Sequence, residues 1–147
     1  MNRKTLFCIG LLLLSFCSFA QLRDIPKEVE QAFASQYPHA TGVEYRDNLV
    51  NVKVHFSQKG EKYIASYNNA GKWKETEKAW SYEQLNADIK DGFQKSKYAD
   101  WKVTETKIVY RPDNVELFRI RVEKNDIQKK HLFFNSSGRL VEDFITL

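Results

Sequence analysis

Cysteine is scarce in this sequence, and its only two cysteines, Cys8 and Cys17, lie close to the N-terminus. The remainder of the chain has no residue that could form a disulfide, a thiolate metal site or a cysteine nucleophile. A domain built from that remainder must be held together by packing. Its aromatic side chains, drawn from ten Phe, seven Tyr and three Trp in the whole sequence, can supply the buried apolar surface.

Long apolar runs are also missing, apart from one near the start of the chain. Residues 6–16 are almost entirely apolar, follow a short basic start and are followed by the small residue Ala20. This arrangement is typical of a secretory signal peptide. The sequence therefore predicts a signal peptide over residues 1–20, cleavage after Ala20, and a periplasmic or secreted protein.

Two other interpretations of this segment are a buried N-terminal helix and a lipid anchor on Cys17. The abrupt change to polar sequence from Gln21 onward argues against the helix. Bulky Phe16 argues against the anchor, because lipidation signals have a small residue at that position. No later run is long enough to span a membrane, so no transmembrane segment is expected in the mature chain.

Charge of one sign is not in large excess. The full sequence has 23 basic and 19 acidic residues, a formal net charge of +4, and loss of the signal peptide would lower this to about +2. Such a balance does not favour nucleic-acid binding. No low-complexity linker divides the mature chain, which argues against two independently moving domains.

Two turn sequences share one pattern: an aromatic residue, an Asn, two further residues, a Gly and a basic residue. They occupy residues 67–72 and 134–139. The Asn side chain can bond its own backbone, and the Gly can adopt the positive φ that a tight hairpin needs. We therefore predict two β-hairpins in which Gly71 and Gly138 both have φ > 0.

Two helices are indicated by apolar residues spaced four apart. The first stripe is Ile25, Val29, Phe33 and Tyr37, and the second is Leu85, Ile89 and Phe93. The second helix is also preceded by an S-x-x-Q capping box formed by Ser81 and Gln84.

Alternating strands follow each helix, and several turns and strands of the two halves match at a nearly constant offset. The expected fold class is α+β, with two tandem repeats over about residues 21–79 and 80–147. Each repeat would be a helix plus a four-stranded antiparallel sheet, and both helices would pack on one face of the joined sheet.

The N-terminal motif of the mature chain resembles the opening of PepSY-like secreted bacterial domains. The matching residues are Ile25-Pro26, Val29, Ala32-Phe33, Tyr37-Pro38-x-Ala40 and Val43-Glu44-Tyr45. The turn of residues 68–73 also resembles theirs, although Tyr45 replaces a usual Trp and Asn68 a common Asp. The family has no established active site and is similar in architecture to the beta-lactamase inhibitor proteins (BLIP), which grip a partner through an open sheet face. The resemblance implies that fold and, by analogy, a binding role.

No catalytic or metal-binding motif stands out in the mature chain. Three histidines, His39, His55 and His131, lie far apart in sequence and lack the tight spacing of zinc ligands. There is no G-x-S-x-G turn and no Gly-rich phosphate loop. We therefore expect no enzymatic activity, no cofactor and no metal.

One set of residues is a candidate for partner binding. Basic side chains alternate with the apolar residues of two matched strands and should project from the sheet face that the helices leave open. Two aromatic residues could serve as anchors if they are exposed. The candidate residues are Lys53, His55, Arg119, Arg121, Trp73 and Tyr110. The simpler interpretation of the basic residues is an ordinary solvated sheet surface, and that of the aromatics is core packing.

The function predicted from these observations is that of a secreted, non-enzymatic binding module that inhibits or regulates an envelope protein. The alternative is a binder of a small ligand or an anionic envelope polymer, with its site in a cleft between the two units. The sequence names neither the partner nor the oligomeric state. It also leaves open the register of the strand expected over residues 101–110.

Overall fold

The computed structural model of the protein describes residues 24–146. This part of the chain contains two helices and eight strands. In chain order they are α1 Lys27–Gln36, β1 Thr41–Asp47, β2 Asn51–Gln58, β3 Glu61–Asn68, β4 Trp73–Trp80, α2 Ala87–Gln94, β5 Lys102–Arg111, β6 Val115–Glu123, β7 Lys129–Phe134 and β8 Leu140–Thr146.

The eight strands form one antiparallel sheet, in which each strand pairs with its neighbours in the chain. Residues 76–80 of β4 pair with residues 106–110 of β5, so hydrogen bonding is continuous across the middle of the chain. The predicted fold class of two tandem helix-plus-four-strand repeats is therefore wrong, since the molecule is mostly one eight-stranded sheet with two helices. The reason is that the outer edge of β4 would otherwise leave a row of N–H and C=O groups unpaired, and β5 satisfies them.

Both helices cover the same face of this sheet. The buried residues of the α1 cluster are Val29, Phe33, Val52, Val54, Phe56, Ala65 and Tyr67. Those of the α2 cluster are Leu85, Ile89, Phe93, Tyr98, Ile120, Val122, Leu132 and Phe134. The cross-strand register places both clusters on one side. Each large apolar side chain buried in this way stabilises the fold by about 1.5–3 kcal/mol.

The two predicted hairpin turns connect β3 to β4 and β7 to β8. Gly71 has φ 76° and Gly138 has φ 77°, which confirms the prediction of positive φ at both. In each turn the preceding Asn accepts backbone hydrogen bonds through its Oδ1 atom, at Asn68 from Lys72 N (2.8 Å) and at Asn135 from Arg139 N (3.0 Å). Both turns also lie against a helix, because a Cβ atom on Gly71 would collide with the backbone of Glu28, and one on Gly138 with that of Asp88.

The second helix begins later than the capping box predicts. Ser81 and Gln84 do exchange the expected pair of hydrogen bonds, Ser81 N to Gln84 Oε1 (3.1 Å) and Gln84 N to Ser81 Oγ (3.3 Å). They close a turn that precedes the helix. The helix itself is capped by Asn86, whose Oδ1 accepts from Ile89 N at 2.8 Å.

Neither α1 nor α2 is long and apolar enough to cross a membrane. The predicted signal peptide of residues 1–20 lies outside the described residues.

Candidate functional site

The face of the sheet opposite the helices is called the open face here. Its side chains alternate with the helix-covered ones along every strand. Charged members of this face are Glu44, Arg46, Lys53, Lys62, Glu75, Glu77, Lys102, Glu105, Lys107, Arg111, Arg119, Arg121, Glu123, Lys129 and Glu142. Within residues 24–146 no helix covers them.

The open face is concave. Arg111 of β5 forms ion pairs with Glu75 of the adjacent strand β4, at 3.2 Å, and with Glu142 of β8, at 2.9 Å. In a flat sheet β5 and β8 would lie about 14 Å apart, so the strands must curl toward each other for this contact to form. The curl also buries an apolar cluster of Val109, Leu117 and Phe133 on this face without any helix above it.

The centre of the open face holds a network of ion pairs. Lys107 Nζ lies 2.9 Å from Glu77 Oε2 and 3.3 Å from Glu105 Oε1, while Arg119 bonds to both carboxylates. Burial by itself raises the pKa of Glu77, but the charge of Arg119 and the hydrogen bonds from Lys107 and Arg119 outweigh it and hold that pKa below its usual value. The network is therefore charged but internally compensated.

All four basic residues of the candidate set lie on the open face. They do not form a continuous stripe, because Lys53 and His55 are on β2 and the two arginines are on β6, with three strands between them. Arg119 is only 7% exposed, and Arg121 pairs with Glu123 at 3.4 Å. The four residues therefore do not form one basic surface, since carboxylates of β4 and β5 occupy Arg119 and a carboxylate of its own strand occupies Arg121.

The two aromatic candidates belong to the other side of the sheet. Trp73 packs against the α1 cluster and donates from Nε1 to Thr76 Oγ1 at 2.9 Å. Tyr110 is the cross-strand neighbour of Thr76, on the helix-covered face. Together with Tyr37 and Tyr63, these two residues line a groove of about 280 Å³ beside α1. They cannot anchor a partner that binds the open face.

A depression of about 480 Å³ lies in the N-terminal half of the open face, across β1 to β5. The residues of the open face that line this depression are Gly42, Glu44, His55, Ser57, Lys62, Ile64, Glu77, Ala79 and Lys107. Desolvation, followed by the charge of Arg46, lowers the pKa of His55. Sequence reasoning found His55 but missed Lys62 and Ala79. Alternation along β3 and β4 predicts that Lys62 and Ala79 lie on this face. The sequence does not specify the cross-strand register that brings both into the same depression as His55.

Within residues 24–146, no cluster of three or more His, Cys, Asp or Glu side chains could hold a metal ion. The open face carries carboxylates and imidazoles, but the carboxylates at its centre are occupied by Lys107 and Arg119. What this face offers is a fixed, curved and charged surface.

No protein-family model and no curated protein matches the chain. Several solved structures do. A DUF2874 family protein from Bacteroides ovatus is 25% identical, with a TM-score of 0.69 over 84% of this chain and 89% of that one. A BLIP-like protein from Bacteroides fragilis is 21% identical, with a TM-score of 0.70 over 86% and 89%. A Bacteroides eggerthii protein, provisionally named periplasmic, is 20% identical, with a TM-score of 0.67 over 84% and 90%.

These similarities define the class of fold. The predicted BLIP-like architecture is confirmed by the match to the Bacteroides fragilis structure. The narrower PepSY-like resemblance stays a prediction.

Proposed function

We propose that this protein is a non-enzymatic binding module that acts outside the cytoplasm and grips a protein partner through its open face, inhibiting or regulating that partner. The observation that carries the proposal is a concave sheet face, left uncovered by both helices, whose central charges are already paired. Such a face is complementary in shape to a convex partner surface.

The central ion-pair network suits this role for an energetic reason. A partner that covers an unpaired charge must compensate for its desolvation, whereas Glu77 and Arg119 are largely desolvated already. Their side chains are held by several bonds at once, so little rotamer freedom remains to be lost when a partner binds. The network can therefore form the floor of an interface at low cost.

Two comparisons support the proposal. One structural neighbour is named BLIP-like, and another is provisionally named periplasmic. Both agree with a binding module exported by the predicted signal peptide.

A matched pair of variants tests the proposal. Ala79 is exposed in the depression of the open face, and Ala34 is exposed on α1. Ala79→Trp fills the depression with a bulky ring, while Ala34→Trp makes the same change on the opposite side of the molecule. Purified wild-type protein and both variants are immobilised, exposed to an envelope extract, and their bound proteins are quantified by mass spectrometry.

We expect one protein to be captured in stoichiometric amounts by the wild type and by Ala34→Trp, and to be lost with Ala79→Trp. Equal capture by all three would place binding elsewhere. Turnover of a substrate that a point substitution abolishes would overturn the non-enzymatic assignment.

A second candidate function is supported by the groove beside α1. Its lining includes four aromatic rings, those of Tyr37, Tyr63, Trp73 and Tyr110, with Lys59 also lining it. Aromatic walls with a few polar groups are typical of small-ligand sites, and the lysine suits an anionic sugar. If this is the site, oligogalacturonate should change the tryptophan fluorescence of the wild type but not that of Tyr110→Ala. An unchanged signal in the wild type rules this candidate out.

A further inference from the structure

The charges of the open face do not balance locally. Every carboxylate on the described strands of this face takes part in an ion pair: Glu44, Glu75, Glu77, Glu105, Glu123 and Glu142. Among the cations of the same strands, Lys53, Lys62 and Lys102 have no such partner within residues 24–146. The uncompensated charge of the open face is therefore positive, and two of the three residues that carry it lie on β2 and β3.

Lys62 stands at the depression of the open face, next to apolar surface. The cross-strand register pairs Lys62 with Ser57 and places Ile64 between His55 and Glu77, and Ala79 lies two residues after Glu77 on β4. All of these residues line the depression. At about 480 Å³, it falls within the size range of ligand pockets.

We infer that the depression receives a protruding loop of the protein partner, in which an acidic side chain pairs with Lys62 and a neighbouring apolar side chain packs on Ile64 and Ala79. This inference rests on the proposed function and names the chemistry of the partner. The acidic side chain restores the missing counter-charge, and the apolar side chain covers the uncharged part of the lining.

Other occupants fit the depression less well. A basic loop would meet Lys62 and Lys53, and the nearby carboxylates Glu44 and Glu77 are already held by cations of this chain. A lipid bilayer presents a broad surface, which could reach the exposed Lys62 but could not enter the depression to cover Ile64. The observations thus favour an acidic loop of a protein.

His55 makes binding of the acidic loop depend on pH. The charged groups that act on it are Glu44 and Arg46 from β1, Lys53 from β2 and Lys107 from β5, while uncharged Ile64 is its neighbour on β3. Burial and the surrounding cations keep the imidazole neutral at neutral pH. A carboxylate brought by the partner would favour the protonated imidazole, so binding should tighten as the pH falls toward the pKa of the bound state.

A phage-displayed library of disulfide-closed heptapeptide loops provides the probe. Loops are selected on the wild-type protein and counter-selected on Ala79→Trp, so that only binders of the depression remain. We expect the surviving loops to be enriched in Asp or Glu next to a large apolar residue. Their synthetic versions should bind Lys62→Glu at least about tenfold more weakly than the wild type at low salt, and this difference should shrink as salt is added.

The control for charge reversal is Lys27→Glu. Lys27 is exposed at the start of α1, where an acidic side chain is favourable for the helix. The Lys27→Glu substitution changes the net charge by the same amount as Lys62→Glu and should leave loop binding unchanged. Binding should also be tighter at about pH 5.5 than at about pH 7.5, and His55→Gln should remove that difference.

The outcomes separate the two proposals. Loops that bind the depression but are basic or uncharged, or that bind Lys62→Glu as well as the wild type, would overturn the acidic-loop inference and leave the open face as a binding surface. If no loop loses binding on Ala79→Trp, the proposed use of the open face fails, and the inference fails with it.

Discussion

Water is almost fully excluded from Arg119 and Glu77, which are 7% and 9% exposed. A buried charge is costly unless it is paired and hydrogen-bonded. Glu77 accepts bonds from both Lys107 and Arg119, and Arg119 reaches a second carboxylate at Glu105. At the scale of single residues, therefore, the stability of the fold at the centre of the open face depends on Glu77 and Arg119 keeping their ion-pair partners.

Arg119→Ala should lower the free energy of unfolding by about 2 kcal/mol, because Glu77 would keep only Lys107 as a partner while remaining buried. Arg121→Ala is the matched control, since its pair with Glu123 is more exposed, and it should cost no more than about 1 kcal/mol. Urea denaturation of both variants measures the difference. Equal losses would contradict the role assigned to burial.

The pKa of Glu77 is lower in the folded protein than its ordinary value. Ionised Glu77 therefore stabilises the fold above the unfolded-state pKa of about 4.3, and this contribution is lost as the pH falls through the lower, folded-state pKa. We expect acid to destabilise the wild type more than Glu77→Gln below about pH 4. Urea midpoints measured across that range check this, and parallel curves would contradict it.

Sequence reasoning could predict which face these residues occupy but not their partners. Alternation along β6 places Arg119 opposite Ile120 and Val122, and the structure agrees. Glu77 lies on β4, and its approach to Arg119 depends on the pairing of β4 with β5 and of β5 with β6. No local pattern in the sequence specifies those registers, so the compensation of Arg119 could not be predicted.

At the scale of elements, the two Asn-x-x-Gly turns act as docking points for the helices. Gly138 approaches α2 so closely that a Cβ atom on either Gly138 or Gly92 would collide with the backbone of the other element. Asn86 also donates from Nδ2 to Ser136 O at 3.0 Å. The turn therefore fixes the position of the helix as well as the register of its hairpin.

Gly138→Ala tests this docking against Gly60→Ala. Both glycines have positive φ, but an added Cβ at Gly60 meets nothing within 4 Å. Both variants place an alanine at positive φ, which costs stability in each. Only Gly138→Ala also forces α2 away from the turn, so it should lower the free energy of unfolding by about 1–3 kcal/mol more than Gly60→Ala does. Thermal melts compare them, and similar stability would show that the turn contributes no helix docking.

Local signals predicted elements better than they predicted boundaries. The hairpin turns were readable because Asn and Gly at fixed spacing suffice to define them. The capping box was real but belongs to a separate turn, and Asn86 is a stronger cap at the helix itself. Ser81 and Asn86 are both residue types that favour a helix start, so the sequence alone could not choose between them.

At the scale of the whole molecule, the β4–β5 ladder joins the two halves into a continuous sheet. Cutting the chain there would expose one edge on each half. The sequence indicated a joined sheet but not this pairing, because the strand over residues 101–110 has no clear match in the first half.

We expect the two halves to unfold together. Trp73 lies in the first half and Trp101 in the second, while the third tryptophan, Trp80, packs against the α2 cluster. Variants that lack Trp80 and retain either Trp73 or Trp101 therefore report on one half each. Fluorescence should give the same urea midpoint for both, and circular dichroism should agree with it. Two separated transitions would show that the ladder does not couple the halves.

Export makes a separate prediction for the whole chain. The mature protein purified from its native source should begin at Gln21. Intact-mass spectrometry gives the answer directly. A chain that still begins with Met1, or one that carries a lipid on Cys17, would contradict the predicted cleavage.

The order of the strands has a kinetic consequence. Each strand pairs only with its neighbours in the chain, so most of the sheet can form by closing short loops. Such a topology has a low contact order for a β-rich protein, which favours rapid folding. The longest closure joins β4 to β5 across α2. We expect hairpins to form first and this central closure to limit the rate.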